Sequence, residues 1–212
     1  MSAHLTATRG PRENFFRAPS GPLDYLADAL RVVGLLSVVG AAIWLLPTDA
    51  GVLALTLPAL VAPRILGVRA GFDIVFSLVV LAAAWSNVID LYRTVAWWDI
   101  VMHAVTMAVL VPLVYLLLAR AGVVPPSSAP SSAPSSPPSV PGRPRKRVPL
   151  VLFPTLGLAL GALWEMVEWA GFEWISDEIY VDYADTIGDL AVGGLGALAA
   201  GIALARLPLE RE

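Results

Sequence analysis

The stretch VPLVLFPTLGLALGALWEMVEWAGFEW, residues 148–174, decides the class of fold that we predict. It is apolar over more than the roughly 20 residues that cross a bilayer as a helix. It nevertheless carries two carboxylates, Glu165 and Glu168, between Trp164 and Trp169. A charged side chain in the hydrocarbon region costs about 2.5 to 3.5 kcal/mol, so such residues usually face a bundle interior, a water-filled cavity or a partner charge. We therefore expect these glutamates to mark a functional site.

The composition of the whole chain also indicates a membrane protein. Of the 212 residues, 57% are hydrophobic and 15% are charged, and the mean hydropathy is +0.72. The apolar residues form long blocks, whereas a soluble domain would show stripes. Because the chain has no cysteine, disulfides, cysteine-ligated zinc, iron–sulfur clusters and thiol nucleophiles are excluded. No signal-peptide core follows the polar start of the chain, so we expect the first membrane helix to be retained.

We predict an all-α fold, a polytopic membrane bundle of six transmembrane helices with both termini cytoplasmic. Apolar runs and the breaks between them predict helices over residues 23–46, 50–65, 70–91, 98–119, 148–174 and 183–204. The resulting organisation is a cytoplasmic N-terminal tail (1–22), helices 1–4 (23–120), a cytoplasmic linker (121–147), helices 5 and 6 (148–206) and a cytoplasmic tail (207–212).

Basic residues decide the predicted orientation, because cytoplasmic loops are enriched in Lys and Arg. The outer loops contain only Arg93, and the cytoplasmic segments contain Arg9, Arg12, Arg17, Arg64, Arg69, Arg120, Arg143, Arg145, Lys146, Arg147, Arg206 and Arg211. Residues 125–141 are almost entirely Ser, Pro and Ala, which predicts a disordered linker. The basic cluster that follows, residues 143–147, should favour anionic lipid headgroups.

Ionisable residues of helices 4, 5 and 6 fall on the predicted outer side of the membrane. Within each helix they are three or four residues apart and so share a face. The set consists of Asp99 and His103 on helix 4, Glu165 and Glu168 on helix 5, and Asp182, Asp185 and Asp189 on helix 6. Tyr92, Trp97 and Trp98 are expected to form an aromatic belt at the outer interface. His103, Glu168 and Asp189 each lie six residues inside an aromatic interface residue, roughly 9 Å deep. We therefore expect three helices to direct polar groups at one level.

Some of these residues have ordinary structural alternatives. His103 could be a hydrogen-bonded packing residue, because a single histidine in a membrane helix often is. Asp182, and in part Asp185, could cap the start of helix 6, where a carboxylate complements the helix dipole. Capping does not explain the carboxylates that lie a turn or more inside their helices, which are Glu165, Glu168 and Asp189.

Carboxylates clustered at moderate depth cannot all stay ionised without a counter-charge. Either some are protonated and form a proton-exchanging group, or a cation is bound among them. One imidazole among oxygen ligands suits a hard or borderline divalent ion such as Mg²⁺, Mn²⁺, Fe²⁺ or Zn²⁺, and all seven residues are then candidate ligands. Metal-activated water would be the nucleophile, with His103, Glu165 and Glu168 as candidate catalytic residues.

Three spaced motifs resemble the YjdF-like family of uncharacterised bacterial inner-membrane proteins. The motifs are Asp99-x3-His103, Glu165-x2-Glu168 flanked by Trp, and Asp182-x2-Asp185-x3-Asp189 followed by small residues. They are more distantly similar to the VanZ-like family linked to glycopeptide resistance, whose Gln-and-Arg signature this chain lacks. The resemblance spans residues 97–201 apart from the linker, which is longer than the compact loop expected there. It implies a compact polytopic bundle and supplies no activity.

Few other charged residues lie within the predicted spans. The spacing of three between Asp28 and Arg31, near the start of helix 1, allows an ion pair on one face, and the ordinary alternative is an amphipathic helix start at the interface. Asp73, near the cytoplasmic end of helix 3, is expected to pair at the interface close to Arg64 and Arg69. The inner half of the membrane is otherwise nearly bare of acidic residues, which ranks a transport path below an enzyme.

The expected function is that of a membrane-embedded, metal-dependent hydrolase or transferase. Its substrate would be a lipid or a lipid-linked envelope precursor, met from the outer leaflet of a bacterial or archaeal plasma membrane. The alternatives are a proton- or cation-coupled transporter and a non-catalytic membrane scaffold in which the acids hold a structural ion. The expected partners are the lipid bilayer, that substrate and anionic headgroups at the basic linker, and no nucleic-acid partner is predicted.

Overall fold

The computed structural model describes residues 10–124, 148–176, 179, 181–204 and 209. Within them the fold is all-helical without a β-strand, and six helices are long and apolar enough to cross a membrane, as predicted. The helices are α1 (Pro11–Phe15), α2 (Pro22–Trp44), α3 (Pro47–Ile65), α4 (Ala70–Val88), α5 (Leu91–Thr94), α6 (Trp98–Arg120), α7 (Val148–Trp174) and α8 (Tyr183–Leu204). The predicted Ser/Pro linker and its basic cluster lie outside the described residues.

Two helix boundaries differ from the sequence prediction by three residues, 47 against 50 and 88 against 91, each for a local reason. Helix α3 begins at Pro47, because proline fits the first turn of a helix and the Asp49 carboxylate accepts a hydrogen bond from the Leu46 N–H at 3.2 Å. Helix α4 ends at Val88, short of the predicted residue 91, because Asp90 adopts a left-handed conformation with φ of 60°. Aspartate tolerates that conformation better than most residues do.

The chain forms two compact units. The described residues up to Ile89, together with Leu209, make the first unit, and those from Asp90 to Leu204 make the second. In the first unit α2, α3 and α4 pack against one another. Gly34 of α2 permits close packing, because a Cβ there would overlap the Leu60 side chain of α3.

A charged network of four residues, Asp28, Arg31, Arg64 and Asp73, connects the helices of the first unit. Arg31 donates from Nη2 to both carboxylate oxygens of Asp73, at 2.6 and 2.7 Å, and from Nη1 to Asp28 Oδ1 at 3.0 Å. Arg64 donates to the same Asp28 oxygen. The ion pair that the spacing of Asp28 and Arg31 allows is present, whereas sequence reasoning did not identify Arg31 as a partner of Asp73.

The turn between α3 and α4 is hydrogen-bonded to Leu209, a residue that is distant in the sequence. Gly67, with φ of 57°, and Val68 donate hydrogen bonds back to the last turn of α3, at 3.0 and 3.1 Å, which is the Schellman arrangement. The N–H of Arg69 then donates to the carbonyl of Leu209 at 2.9 Å. Leu209 is 6% exposed, so it is part of the core of the first unit.

In the second unit α8 packs against both α6 and α7. Small residues allow the backbones to approach, as is common between membrane helices. A Cβ on Gly196 would overlap the backbone of Ala104 in α6, and one on Gly157 of α7 would lie 2.6 Å from the Ala197 Cβ. This packing brings the starts of α6 and α8 together with the end of α7.

Candidate metal centre

His103 lies among polar residues contributed by three helices. Its Nε2 is 3.4 Å from Asp99 Oδ1, one turn away on α6, and 3.9 Å from Asp189 Oδ2 on α8. His103 is 9% exposed and Asp189 is 4% exposed. Because an unpaired buried polar group is costly, both side chains depend on protein partners or on a bound ion.

Two groups of side chains at this place have donor atoms close enough to share a metal ion. The first triad is Asp99, His103 and Asp189, and the second is His103, Glu165 and Glu168; within each, the donor atoms lie within 4.8 Å of one another. Ligands on opposite sides of an ion with bonds of about 2.1 Å are about 4.2 Å apart. Small side-chain movements would therefore let either triad close on one ion.

Glu165 has one oxygen with a partner and one without. Its Oε2 accepts a hydrogen bond from the Thr186 hydroxyl of α8 at 2.7 Å. Its Oε1 is buried and has no hydrogen-bond partner among the described residues. In folded proteins a buried carboxylate oxygen of this kind is usually satisfied by a water, a proton or a bound ion. Sequence reasoning did not single out Thr186, because one threonine in an apolar helix carries no distinguishing signal.

Two of the seven predicted ligands belong to neither triad. Asp182 is exposed at the start of α8, where its Oδ1 accepts a hydrogen bond from the Ala184 N–H at 2.9 Å. This is the capping role considered above. Asp185 is half-buried one turn further on and belongs to neither triad. The structure thus brings together Asp99, His103, Glu165, Glu168 and Asp189.

Residues 25–209 match the family described as predicted membrane protein (DUF2238). This range covers most of the chain and contains every member of both triads. The chain belongs to this family. No curated protein and no solved structure matches it. The DUF2238 description supports an uncharacterised membrane family, in agreement with the six spans, and names no activity.

Tyr92 is a further residue of the DUF2238 chain that lies near the triads. It belongs to α5, outside the membrane-spanning helices. Burial, followed by the negative charges of Asp99 and Glu168, raises the pKa of its phenol well above the ordinary value. Sequence reasoning assigned Tyr92 to an aromatic belt, because nothing in the local pattern indicates that carboxylates of α6 and α7 lie near it.

We expect the Tyr92 phenol to stay protonated at about pH 10, where an ordinary tyrosine ionises. The ultraviolet absorbance change of phenolate formation up to about pH 11 should therefore be equal in the folded wild type and in Tyr92→Phe. In denaturant the two should differ by one phenolate. Because only the unfolded chain loses this proton, the stability that neutral Tyr92 confers is present below about pH 10 and is lost as the pH rises further. A smaller change in folded Tyr92→Phe would contradict the prediction.

Proposed function

We propose that α6, α7 and α8 hold a divalent cation and that the protein is a membrane-embedded, metal-dependent hydrolase or transferase. The observation that carries this proposal is the convergence of two triads on His103. Their four carboxylates share a single imidazole, so an ion pair with His103 could balance only one of the negative charges. A divalent ion bound by the neutral imidazole would instead balance two of them and would use the buried Oε1 of Glu165.

The donor set favours some ions over others. Carboxylate oxygens suit Mg²⁺ and Mn²⁺, whereas an imidazole ligand favours Mn²⁺, Fe²⁺ and Zn²⁺. Because both triads include His103, the three ions that accept nitrogen are preferred over Mg²⁺. In the second triad the Thr186 hydroxyl donates a hydrogen bond to one carboxylate oxygen of Glu165. The other oxygen of Glu165 is then available to bind an ion. Hydrogen-bonded partners of this kind commonly orient metal ligands.

The chemistry that follows is activation of water. A bound divalent ion lowers the pKa of a water ligand and so supplies hydroxide at neutral pH. In this proposal one triad would hold the ion, and a carboxylate of the other triad would be the base that accepts a proton from the activated water. His103, Glu165 and Glu168 are the residues to which we assign catalysis, and Asp99 and Asp189 complete the ligand set.

The proposed substrate is a lipid or lipid-linked envelope precursor. The positive-inside distribution of Lys and Arg supports a topology with both termini cytoplasmic and the triads in the outer half of a bacterial or archaeal plasma membrane. A site at that depth would be reached by a lipid headgroup. The resemblance to YjdF-like proteins is consistent with this location and is part of the proposal.

Metal content tests the binding step. We expect protein purified without chelator to contain about one equivalent of Mn²⁺, Fe²⁺ or Zn²⁺. The metal affinity should be at least about tenfold lower in Glu168→Gln, because even the loss of a residue that only hydrogen-bonds to a metal ligand lowers the affinity by about that factor. Asp182→Asn is the matched control, because it removes a carboxylate that caps α8 and belongs to neither triad. Equal metal content in the wild type and Glu168→Gln would refute the proposed site.

Lipid analysis tests the enzymatic step. A strain that carries Glu168→Gln should accumulate the same lipid or envelope precursor as a deletion strain, whereas Asp182→Asn should restore the wild-type profile. Unchanged lipids, together with ion flux in proteoliposomes that disappears in Glu165→Gln and Glu168→Gln, would instead favour the transporter. Full function of both variants would favour a scaffold.

A further inference from the structure

The segment that precedes α2 is held on the first unit by hydrogen bonds. The buried Asn14 side chain donates from Nδ2 to the Ile65 carbonyl at 3.2 Å. The Arg64 guanidinium donates to the carbonyls of Phe15 and Arg17, at 2.8 and 2.6 Å. These bonds hold one face of the segment against the end of α3, so the opposite face points away from α3.

That opposite face carries two adjacent aromatic rings. Phe15 is 40% exposed and Phe16 is 73% exposed. The rings pack edge to face with their centroids 5.0 Å apart. This contact covers only part of their apolar surface. Two neighbouring exposed phenylalanines beside a fixed backbone are an apolar patch that requires a partner.

The first membrane helix, α2, begins at Pro22, six residues after Phe16, and its first turns also expose large side chains. Leu23, Tyr25 and Leu26 occupy the first turns of α2 and are 55%, 64% and 47% exposed, as expected of side chains that meet lipid. Arg12 is exposed one turn before Phe16. Arg12 and Phe16 are four residues apart and so share one side of this short helix. Aromatic rings beside a basic residue that can extend to the headgroups are typical of a membrane interface.

We propose that residues 10–21 form an interfacial segment that lies on the bilayer surface and inserts Phe15 and Phe16 among the phospholipids around the start of α2. The partner is the lipid of that leaflet. The inference is independent of the metal centre, because all the residues that carry it belong to the first unit. It also gives the charged network a second role, since Arg64 joins the interfacial segment to Asp28.

Because the chain has no cysteine, a single introduced thiol can report the depth of this segment. Phe16→Cys is labelled with a nitroxide and reconstituted in vesicles of phosphatidylcholine and phosphatidylglycerol. The expected result is a several-fold higher ratio of collisions with oxygen to collisions with a water-soluble nickel chelate than for Glu13→Cys. Glu13 is the matched control, because it is exposed on the same short helix and its carboxylate accepts a hydrogen bond from Gly10.

Phe15→Cys is the second probe and should behave like Phe16→Cys, with a smaller ratio because its ring is less exposed. Circular dichroism and size-exclusion chromatography confirm that each labelled protein is folded. Equal access of the nickel chelate to positions 13 and 16 in folded protein would overturn the proposal. Spin–spin broadening between labels at position 16 would also overturn it, because a second copy would then cover the patch.

Discussion

Replacing Arg31 by methionine is expected to lower the free energy of unfolding by about 3 to 5 kcal/mol, the usual cost of removing one partner from a buried ion pair. Arg31 neutralises Asp73, which is 4% exposed, through two hydrogen bonds, and a third reaches Asp28. Its Nε also donates to the Leu60 carbonyl at 3.0 Å. Methionine has a similar volume but leaves the Asp73 carboxylate buried without this counter-charge.

Two further variants show whether the loss comes from the charge pair. Asp73→Asn in the Arg31→Met background should recover a large part of the lost stability, because the uncompensated charge is gone. Arg93→Met is the matched control: its pair with Asp90 is 3.9 Å long, both side chains are more than half exposed, and such pairs contribute about 0 to 1 kcal/mol. Equilibrium unfolding in detergent micelles measures all four proteins. A loss below about 1 kcal/mol in Arg31→Met would contradict the assignment.

The second large effect is expected for Gly196→Ala. The added Cβ would overlap the carbonyl oxygen of Ala104 and would lie 2.7 and 2.9 Å from its carbonyl carbon and Cα. Because these are backbone atoms, α6 and α8 must move apart, and we expect a loss of about 1 to 3 kcal/mol or more. Ala104 directly follows His103, so the displacement should also weaken metal binding.

Gly188→Ala is the control for this prediction. Gly188 lies on the same helix, and nothing is within 4 Å of a Cβ added there. Since alanine is the better helix former by about 0.5 to 1 kcal/mol, this variant should be as stable as the wild type or slightly more so. Thermal unfolding in micelles, with metal analysis of the folded fraction, compares the two variants. Equal behaviour of Gly196→Ala and Gly188→Ala would show that α6 and α8 are not in close contact at Gly196.

The six spans could be predicted from the sequence because a membrane helix is a local feature. Its length is fixed by the thickness of the bilayer, and its ends are marked by proline and polar residues. The end of α4 was missed because it depends on the left-handed conformation of Asp90, which the pattern of apolar residues does not encode. Likewise, the pairing of Arg31 with Asp73 depends on how α2 and α4 rotate against each other.

The candidate site was only partly predictable for the same reason. Spacing of three or four residues placed Glu165 with Glu168 and Asp99 with His103, since neighbours on a helix face need no tertiary information. Which carboxylates of α8 reach His103 depends on the rotation of that helix, and the structure selects Asp189 while Asp182 caps the helix start. The proximity of Tyr92 and Thr186 to the triads results from tertiary packing, which the local sequence pattern does not encode.

The hydrogen bond between Arg69 and Leu209 has a consequence for how the protein is made. The chain leaves the first unit at Ile89 and returns to it only at Leu209, so the ribosome must complete α6, α7 and α8 before the first turn of α4 receives its last partner. Assembly of the first unit therefore depends on the synthesis of Leu209. Ribosome-bound chains that stop before Leu209 should expose the start of α4 to amide hydrogen exchange, and chains in which Leu209 has left the ribosome should protect it.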